Sequence, residues 1–136
     1  MSKPILCLDF DGVINSYTSG WQGADQIPDK PVDGAFEFLE RAAIHFDIHI
    51  FSSRSNQPGG ILAMREWFAK YWTEYVFHKS PELREKFSDF FYPDWISFPT
   101  KKPAAFLTID DRAITFNGVW FNPRDLLKFK PWYKKE

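Results

Sequence analysis

Short apolar runs alternate along the chain with longer segments in which apolar residues recur at helical spacing. The run at residues 5–8 is continuous, which is typical of a strand buried in a parallel sheet. Runs at 48–51 and 105–109, interrupted only by His49 and Thr108, predict two further strands. A weaker run at 95–98 predicts a further strand. The apolar pattern therefore predicts four short strands separated by other structure.

The segments between these runs predict helices. A first helix is expected to begin near Asp33, whose carboxylate can cap free backbone N–H groups. A second follows the loop at 56–60, and Ser80-Pro81 predicts the start of a third that ends near residue 90. The apolar stripes of the first two helices consist of Ala35, Leu39, Ala42 and Phe46, and then Ile61, Met64, Phe68 and Tyr71.

The last part of the chain predicts a hairpin followed by a short helix. Asn117-Gly118 separates apolar runs at 113–116 and 119–121, which is a good hairpin signal. Asn122-Pro123 repeats the cap-plus-proline pattern and predicts a final helix. The tail at 128–136 mixes lysine with aromatic residues and is expected to fray, with a functional basic patch as the alternative.

Alternating strands and helices indicate an α/β fold. We expect a Rossmann-like three-layer sandwich, with a mostly parallel sheet flanked by helices. The length of 136 residues fits a single domain, 1–136. Residues 13–31 are rich in Gly, Ser, Asp and Pro and predict a loop or small hairpin, which we call the flap.

Composition and charge restrict the cellular environment and the classes of partner that we expect. The net charge of −1 gives no overall basic surface for nucleic acid or membranes, although it is compatible with a local basic groove. Cys7 is the single cysteine, and neither a signal peptide nor a membrane-length apolar stretch is recognised, so we expect a cytoplasmic protein with no membrane partner. The 19 % aromatic content predicts a core built from rings or, alternatively, an exposed aromatic patch.

Polar side chains follow three of the predicted strands. Asp9 and Asp11 come after the first, Ser52 after the second, and Asp110 with Asp111 after the last. Because the carboxyl ends of parallel strands form the ligand crevice of an open sheet, we expect these residues to converge. Four carboxylates in one crevice repel one another, and a divalent cation removes that repulsion. Carboxylate oxygens are hard ligands, and together with the oxygens of a bound phosphate they favour Mg²⁺. Each acid taken alone is equally compatible with a structural role in a turn.

The same residues resemble the motifs of the haloacid dehalogenase (HAD) superfamily. Asp9-Phe10-Asp11-Gly12-Val13 is similar to the first motif, and Ser52, at the end of a strand, to the second. Lys102 is similar to the third-motif lysine, and Asp110-Asp111 to the acidic fourth motif. The motifs occur in the family order and span residues 5–111. Within the superfamily, the likeness is to small bacterial and phage proteins whose fourth motif is Asp-Asp-Arg-Ala.

The resemblance implies a catalytic role for four residues. Asp9 would attack phosphorus and form an aspartyl-phosphate, and Asp11 would act as general acid and then as general base. Ser52 would donate a hydrogen bond to a phosphoryl oxygen, and Lys102 would neutralise Asp9 and the transferring group. The choice of Lys102 over Lys101 rests on its pairing with Pro103.

The resemblance also implies a metal site. Mg²⁺ would be held by the carboxylates of Asp9 and Asp110 and by the backbone carbonyl of Asp11. Asp111 would be either a further ligand or an acceptor that orients the ligands.

Three residues beside the motifs are candidates for binding substrate. Ser53 and Arg54 follow the second motif, and Arg112 follows the fourth. The two arginines can contact a substrate phosphate, or equally pair with neighbouring carboxylates.

Together these features lead us to expect a Mg²⁺-dependent phosphomonoesterase with a HAD-like fold. The flap is too short for a folded cap domain, and residues 52–102 are mostly accounted for by two helices and a strand, so no separate cap is expected. An open crevice excludes water only with a large substrate or an adjoining subunit, such as that of a homodimer. The expected partner is a phosphorylated small molecule or nucleic-acid end, with nucleotide and nucleic-acid-end phosphates ahead of sugar phosphates. A non-catalytic phosphate-binding module is the alternative.

Overall fold

The computed structural model describes residues 2–87 and 89–134. In chain order its elements are β1 (Ile5–Leu8), α1 (Ala35–Ala42), β2 (Asp47–Ile50), α2 (Gly60–Lys79), a 3₁₀ turn (Pro81–Glu85), β3 (Ile96–Ser97), β4 (Leu107–Ile109) and α3 (Pro123–Leu126). The four strands form one sheet in the order β3-β2-β1-β4, and every pairing is parallel. A parallel sheet with flanking helices confirms the predicted α/β class.

One face of the sheet carries the core. Leu6, Ile48 and Ile96 are paired across three strands, so they share a face, and all three are buried. The helices cover this face, and the ring of Phe36 in α1 lies 5.1 Å from that of Phe68 in α2. Part of the aromatic content therefore lies in the core, where large rings bury much apolar area.

The flap is a packed loop of turns and isolated bridges. Asn15 is bridged to Asp11 on one side and to Pro31 on the other, so the two ends of the flap meet. Farther along, Asp29 accepts hydrogen bonds from the backbone N–H and the hydroxyl of Ser19, at 2.8 and 2.6 Å. These contacts close the loop beside the carboxyl end of β1.

Two of the predicted helix starts are wrong in detail. The first helix begins at Ala35 after Gly34, which has a left-handed backbone (φ 83°), and no side chain caps it. Asp33 therefore lies one residue too early to act as the cap. The third helix is only the 3₁₀ turn Pro81–Glu85, none of whose residues is buried. Without an apolar face against the core, a helix at this position has little to stabilise it.

The C-terminal part corrects two further predictions. Residues 113–121 contain no strand and are all exposed, so the hairpin prediction is wrong. The tail does not fray where it is described, because Pro131 is buried and the Trp132 indole Nε1 donates to the carbonyl of Gly12 at 2.7 Å. The predicted helix start at Asn122 is confirmed, since its side-chain oxygen accepts from the Arg124 backbone N–H at 3.0 Å. Residues 135–136 lie outside the described part.

None of the helices in the described ranges is both long and apolar enough to cross a membrane.

Candidate active site

A cavity of about 290 Å³ opens at the carboxyl edge of the sheet. It is lined by Cys7, Asp9, Phe51, Ser52, Ser53, Lys102, Thr108, Asp110 and Arg112. Strands β1, β2 and β4 all end at this edge because they run parallel, so the residues that follow them meet although they are distant in sequence. Six of the predicted site residues lie together here.

Three carboxylates form a cluster at one side of the cavity. Asp9, Asp110 and Asp111 each place one oxygen within 4.8 Å of the others. Burial, a hydrogen bond with Asp111 and the charge of Asp110 raise the pKa of Asp9 to about 8. Within the described residues, the buried Oδ1 of Asp111 has no hydrogen-bond partner. A divalent cation would relieve the repulsion and fill the unpaired acceptor, so these residues fit one.

The position of Asp9 is fixed by its backbone neighbours. Its N–H donates to the carbonyl of Ile109 at 2.9 Å, which extends the β1–β4 pairing by one residue. Its Oδ1 accepts from the N–H of Phe10 at 2.8 Å. The Phe10 ring is fully buried and packs edge-on against Trp67, with centroids 4.8 Å apart. The carboxylate of Asp9 is therefore held on a rigid part of the sheet.

Position 12 must be glycine because the first motif, Asp111 and the C-terminal tail approach one another closely there. Its φ is 81°, which favours glycine. A Cβ at this position would clash with the carboxylate of Asp111 and with the ring of Tyr133. The C-terminal tail thus packs directly over the first motif.

Asp11 does not line the cavity. It is 8 % exposed, and its Oδ1 accepts from the Asn15 side chain at 3.0 Å. The Nε of Arg54 donates to both oxygens, at 3.2 and 2.9 Å. The carboxylate therefore faces the flap, while Asp9 faces the acidic cluster.

Arg54 is fully buried, which corrects its prediction as a substrate-binding residue. Its Nη1 donates to three flap carbonyls at 2.9 to 3.1 Å, those of Gly23, Ala24 and Gln26. The Trp21 ring lies over the guanidinium, 4.8 Å from ring centroid to Cζ. A guanidinium occupied in this way has no surface for a ligand, and it instead links Asp11 to the flap. Of the alternatives left open for Arg54, the pairing with a carboxylate is the one observed.

The other predicted side chains line the cavity. Ser52 is 3 % exposed, and its hydroxyl oxygen accepts from the Arg54 backbone N–H at 3.1 Å, which leaves the hydroxyl hydrogen to donate. Ser53 lies exposed at the rim. Lys102 lines the cavity and Lys101 does not, in agreement with the choice made from the sequence.

Arg112 lies beside a carboxylate, one of the two alternatives predicted for it, and its contact with substrate stays a prediction. Its Nε lies 3.9 Å from the Oδ2 of Asp111, and its Nη2 donates to the Tyr133 hydroxyl at 3.3 Å. It also lines the cavity and is exposed. Arg112 can therefore balance an acid and contact a bound anion.

Sequence reasoning missed several residues of the site. Cys7 and Thr108 line the cavity on neighbouring strands, and their apolar or neutral character gave no signal. Trp132 and Tyr133 pack on the first motif, and only the aromatic pair after Pro131 hinted that the tail is ordered.

Comparison of the chain with models of protein families, with curated proteins and with solved structures found no match.

Proposed function

We propose that this chain is a Mg²⁺-dependent phosphomonoesterase of the HAD type, with a Rossmann-like parallel sheet and no separate cap. The third layer expected from the sequence is not described, since α1 and α2 both contribute to the core on one face of the sheet. One observation carries the proposal: a single cavity is lined by Asp9, Ser52, Lys102 and Asp110. A nucleophilic carboxylate, a hydroxyl donor, a cation and a metal-binding acid are the groups that phosphoryl transfer requires.

In the first step an oxygen of Asp9 attacks phosphorus and the phosphorus–oxygen ester bond breaks. The departing oxygen takes a proton from Asp11, which for this step is protonated and turned from Arg54 toward the leaving group, and leaves as an alcohol. In the second step a water oxygen attacks phosphorus and gives a proton to Asp11. The bond between phosphorus and Asp9 then breaks, which releases inorganic phosphate and restores both acids.

The neighbouring side chains determine on which side of the cavity the leaving group would lie. Arg54 and Asn15 hold Asp11 on the flap side of the first motif, so the leaving group would lie on that side. Ser52 would donate to a phosphoryl oxygen, and Lys102 would offset the negative charge that gathers in the cavity.

The metal site would consist of the carboxylates of Asp9, Asp110 and Asp111 with the backbone carbonyl of Asp11. When bound, Mg²⁺ would neutralise the acids and polarise a phosphoryl oxygen. The raised pKa of Asp9 and the unpaired oxygen of Asp111 support this assignment.

The test is phosphate release from a broad panel of phosphate esters, with Mg²⁺ or EDTA. We expect release by the wild type with Mg²⁺ and a loss of at least about 1000-fold in Asp9→Asn, the order seen when a nucleophile is removed. Asp94→Asn is the matched control, since Asp94 is exposed in the turn before β3. Equal release by Asp9→Asn and wild type would refute the mechanism. An inert wild type that still binds Mg²⁺ and phosphate would indicate a non-catalytic binding module.

A further inference from the structure

A second cavity, of about 510 Å³, lies between the flap and the C-terminal tail. We call it the side pocket, and its principal side chains are Tyr17, Trp21, Arg112, Tyr133 and Lys134. Three aromatic rings and two cations line it, and none of its lining residues is acidic. This volume is in the usual range for a small-molecule site, and the lining suits an aromatic ring that carries negative charge.

The side pocket adjoins the candidate active site. Arg112 lines both cavities. Tyr133 lines the side pocket, and its ring lies close enough to Asp111 that a Cβ on Gly12 would touch both. The side pocket therefore shares Arg112 as a wall with the cavity that contains Asp9. It also lies beside the flap, the side on which Asp11 is held.

Neighbouring side chains hold the aromatic rings of the side pocket in place. Trp21 packs against the buried guanidinium of Arg54, and 46 % of Trp21 remains exposed. The Tyr17 and Tyr133 rings meet edge-on with centroids 5.9 Å apart. Rings held in this way form a platform on which a planar base can stack without first being ordered.

The chain on the C-terminal side of this pocket is basic and aromatic. From Arg112 to Lys134, both included, there are five Lys or Arg residues and one acid, Asp125. The exposed rings of this segment are Phe116, Trp120, Phe121, Phe129 and Trp132. Trp120 alone is 84 % exposed. Positive charge interleaved with exposed rings is the arrangement by which proteins hold single-stranded nucleic acids.

We propose that the substrate is the phosphorylated end of a single-stranded nucleic acid. The terminal phosphate lies at Asp9, the terminal nucleoside occupies the side pocket, and the next phosphates follow the segment Arg112–Lys134. This inference rests on the proposed function, because it names the substrate of the same site. The net positive charge of the segment favours a polyanion over an apolar protein partner.

Binding is tested in the Asp9→Asn protein, so that the ligand is not consumed. The probes are fluorescein-labelled eight-nucleotide DNA and RNA strands with a 3′-phosphate, a 5′-phosphate or neither. Their affinity is measured by fluorescence anisotropy at a series of salt concentrations. Lys134→Gln is expected to reduce the slope of log affinity against log salt by about 0.7, the effect of one lost phosphate contact on a single strand. Trp120→Ser is expected to weaken binding about tenfold through the loss of one stacked base.

The matched controls change the same residue types elsewhere. Lys86 follows the 3₁₀ turn at the far end of α2, and Phe90 is 65 % exposed. Lys86→Gln and Phe90→Ser are expected to leave both affinity and salt slope unchanged. In the active protein, phosphate release from the preferred phosphorylated strand is expected to exceed release from the corresponding mononucleotide by about tenfold, the value of one further stacked base.

The outcomes separate the two proposals. Equal release from strand and mononucleotide, with no effect of Lys134→Gln or Trp120→Ser on binding, would overturn the inference and leave the phosphomonoesterase intact. If Lys134→Gln and Trp120→Ser weaken strand binding as expected but no ester releases phosphate, the catalytic proposal is overturned. The proposed nucleic-acid surface is then supported. Self-association that Trp120→Ser abolishes, without strand binding, would overturn the inference in favour of a second copy of the chain.

Discussion

Replacing Arg54 with methionine tests the contact between the first motif and the flap. Arg54 makes five polar contacts of 3.2 Å or less, two with the carboxylate of Asp11 and three with flap carbonyls. Methionine fills similar space but donates no hydrogen bond, so Asp11 stays buried with only Asn15 as a donor. Removing one partner of a buried ion pair typically costs about 3–5 kcal/mol. We therefore expect a loss of about 4 kcal/mol in the free energy of unfolding.

The measurement is urea unfolding of the wild type, Arg54→Met, Asp11→Asn and the double variant. With a slope typical of small domains, the midpoint of Arg54→Met should fall by about 2 M urea. The double variant should be less destabilised than the sum of the single variants, because each removes the same interaction. Arg41→Met is the control, since Arg41 is exposed on α1 and should contribute less than about 0.5 kcal/mol. Additive single effects, or an unchanged midpoint in Arg54→Met, would refute this account of the pair.

Three further predictions follow from other contacts. Mg²⁺ at about 100 times its Kd should stabilise the wild type by about 2.7 kcal/mol in thermal unfolding, and Asp110→Asn should lose most of that shift. Burial raises the pKa of Asp29, but the hydrogen bonds from Ser19 outweigh it, so the pKa is lowered overall. The ionised Asp29 therefore stabilises the fold fully above the ordinary value of 3.8, and this stabilisation is lost as pH falls through the lower folded pKa. Urea unfolding between pH 5 and 2 should therefore show a steeper loss in wild type than in Asp29→Asn. Trp132→Phe should cost about 1 kcal/mol and speed hydrogen exchange in the tail, because the indole N–H to Gly12 is lost.

Each of these predictions has a clear contrary result. A Mg²⁺ shift that survives in Asp110→Asn would place the ion elsewhere. Parallel pH profiles for wild type and Asp29→Asn would show that Asp29 is not linked to folding. Unchanged exchange in Trp132→Phe would mean that the tail is held by contacts other than the indole hydrogen bond. Trp120→Phe is the control for this last variant, since Trp120 is exposed and makes no hydrogen bond in the described part of the chain.

The strands and the residues that follow them were predictable because they depend on local pattern and chain direction. A short apolar run bounded by polar residues predicts a strand, and parallel strands bring their carboxyl ends to one edge. Asp9, Ser52 and Asp110 therefore meet as expected. Burial follows from position in the sheet, since the edge strand β4 is largely exposed. Lys102 lies on no strand, and it was indicated only by the order of the motifs and by its pairing with Pro103.

The sequence by itself determined the α/β class and six of the residues that line the cavity. Only the tertiary structure decided that Arg54 is buried against Asp11, that residues 113–121 form no hairpin and that Trp132 packs on the first motif. The physical reason is that these features depend on which groups lie opposite one another across long separations in sequence. An arginine after a strand can face solvent, a ligand or a buried acid, and the local pattern is the same in all three cases. The surroundings that select among them exist only once the flap and the tail have folded over the sheet.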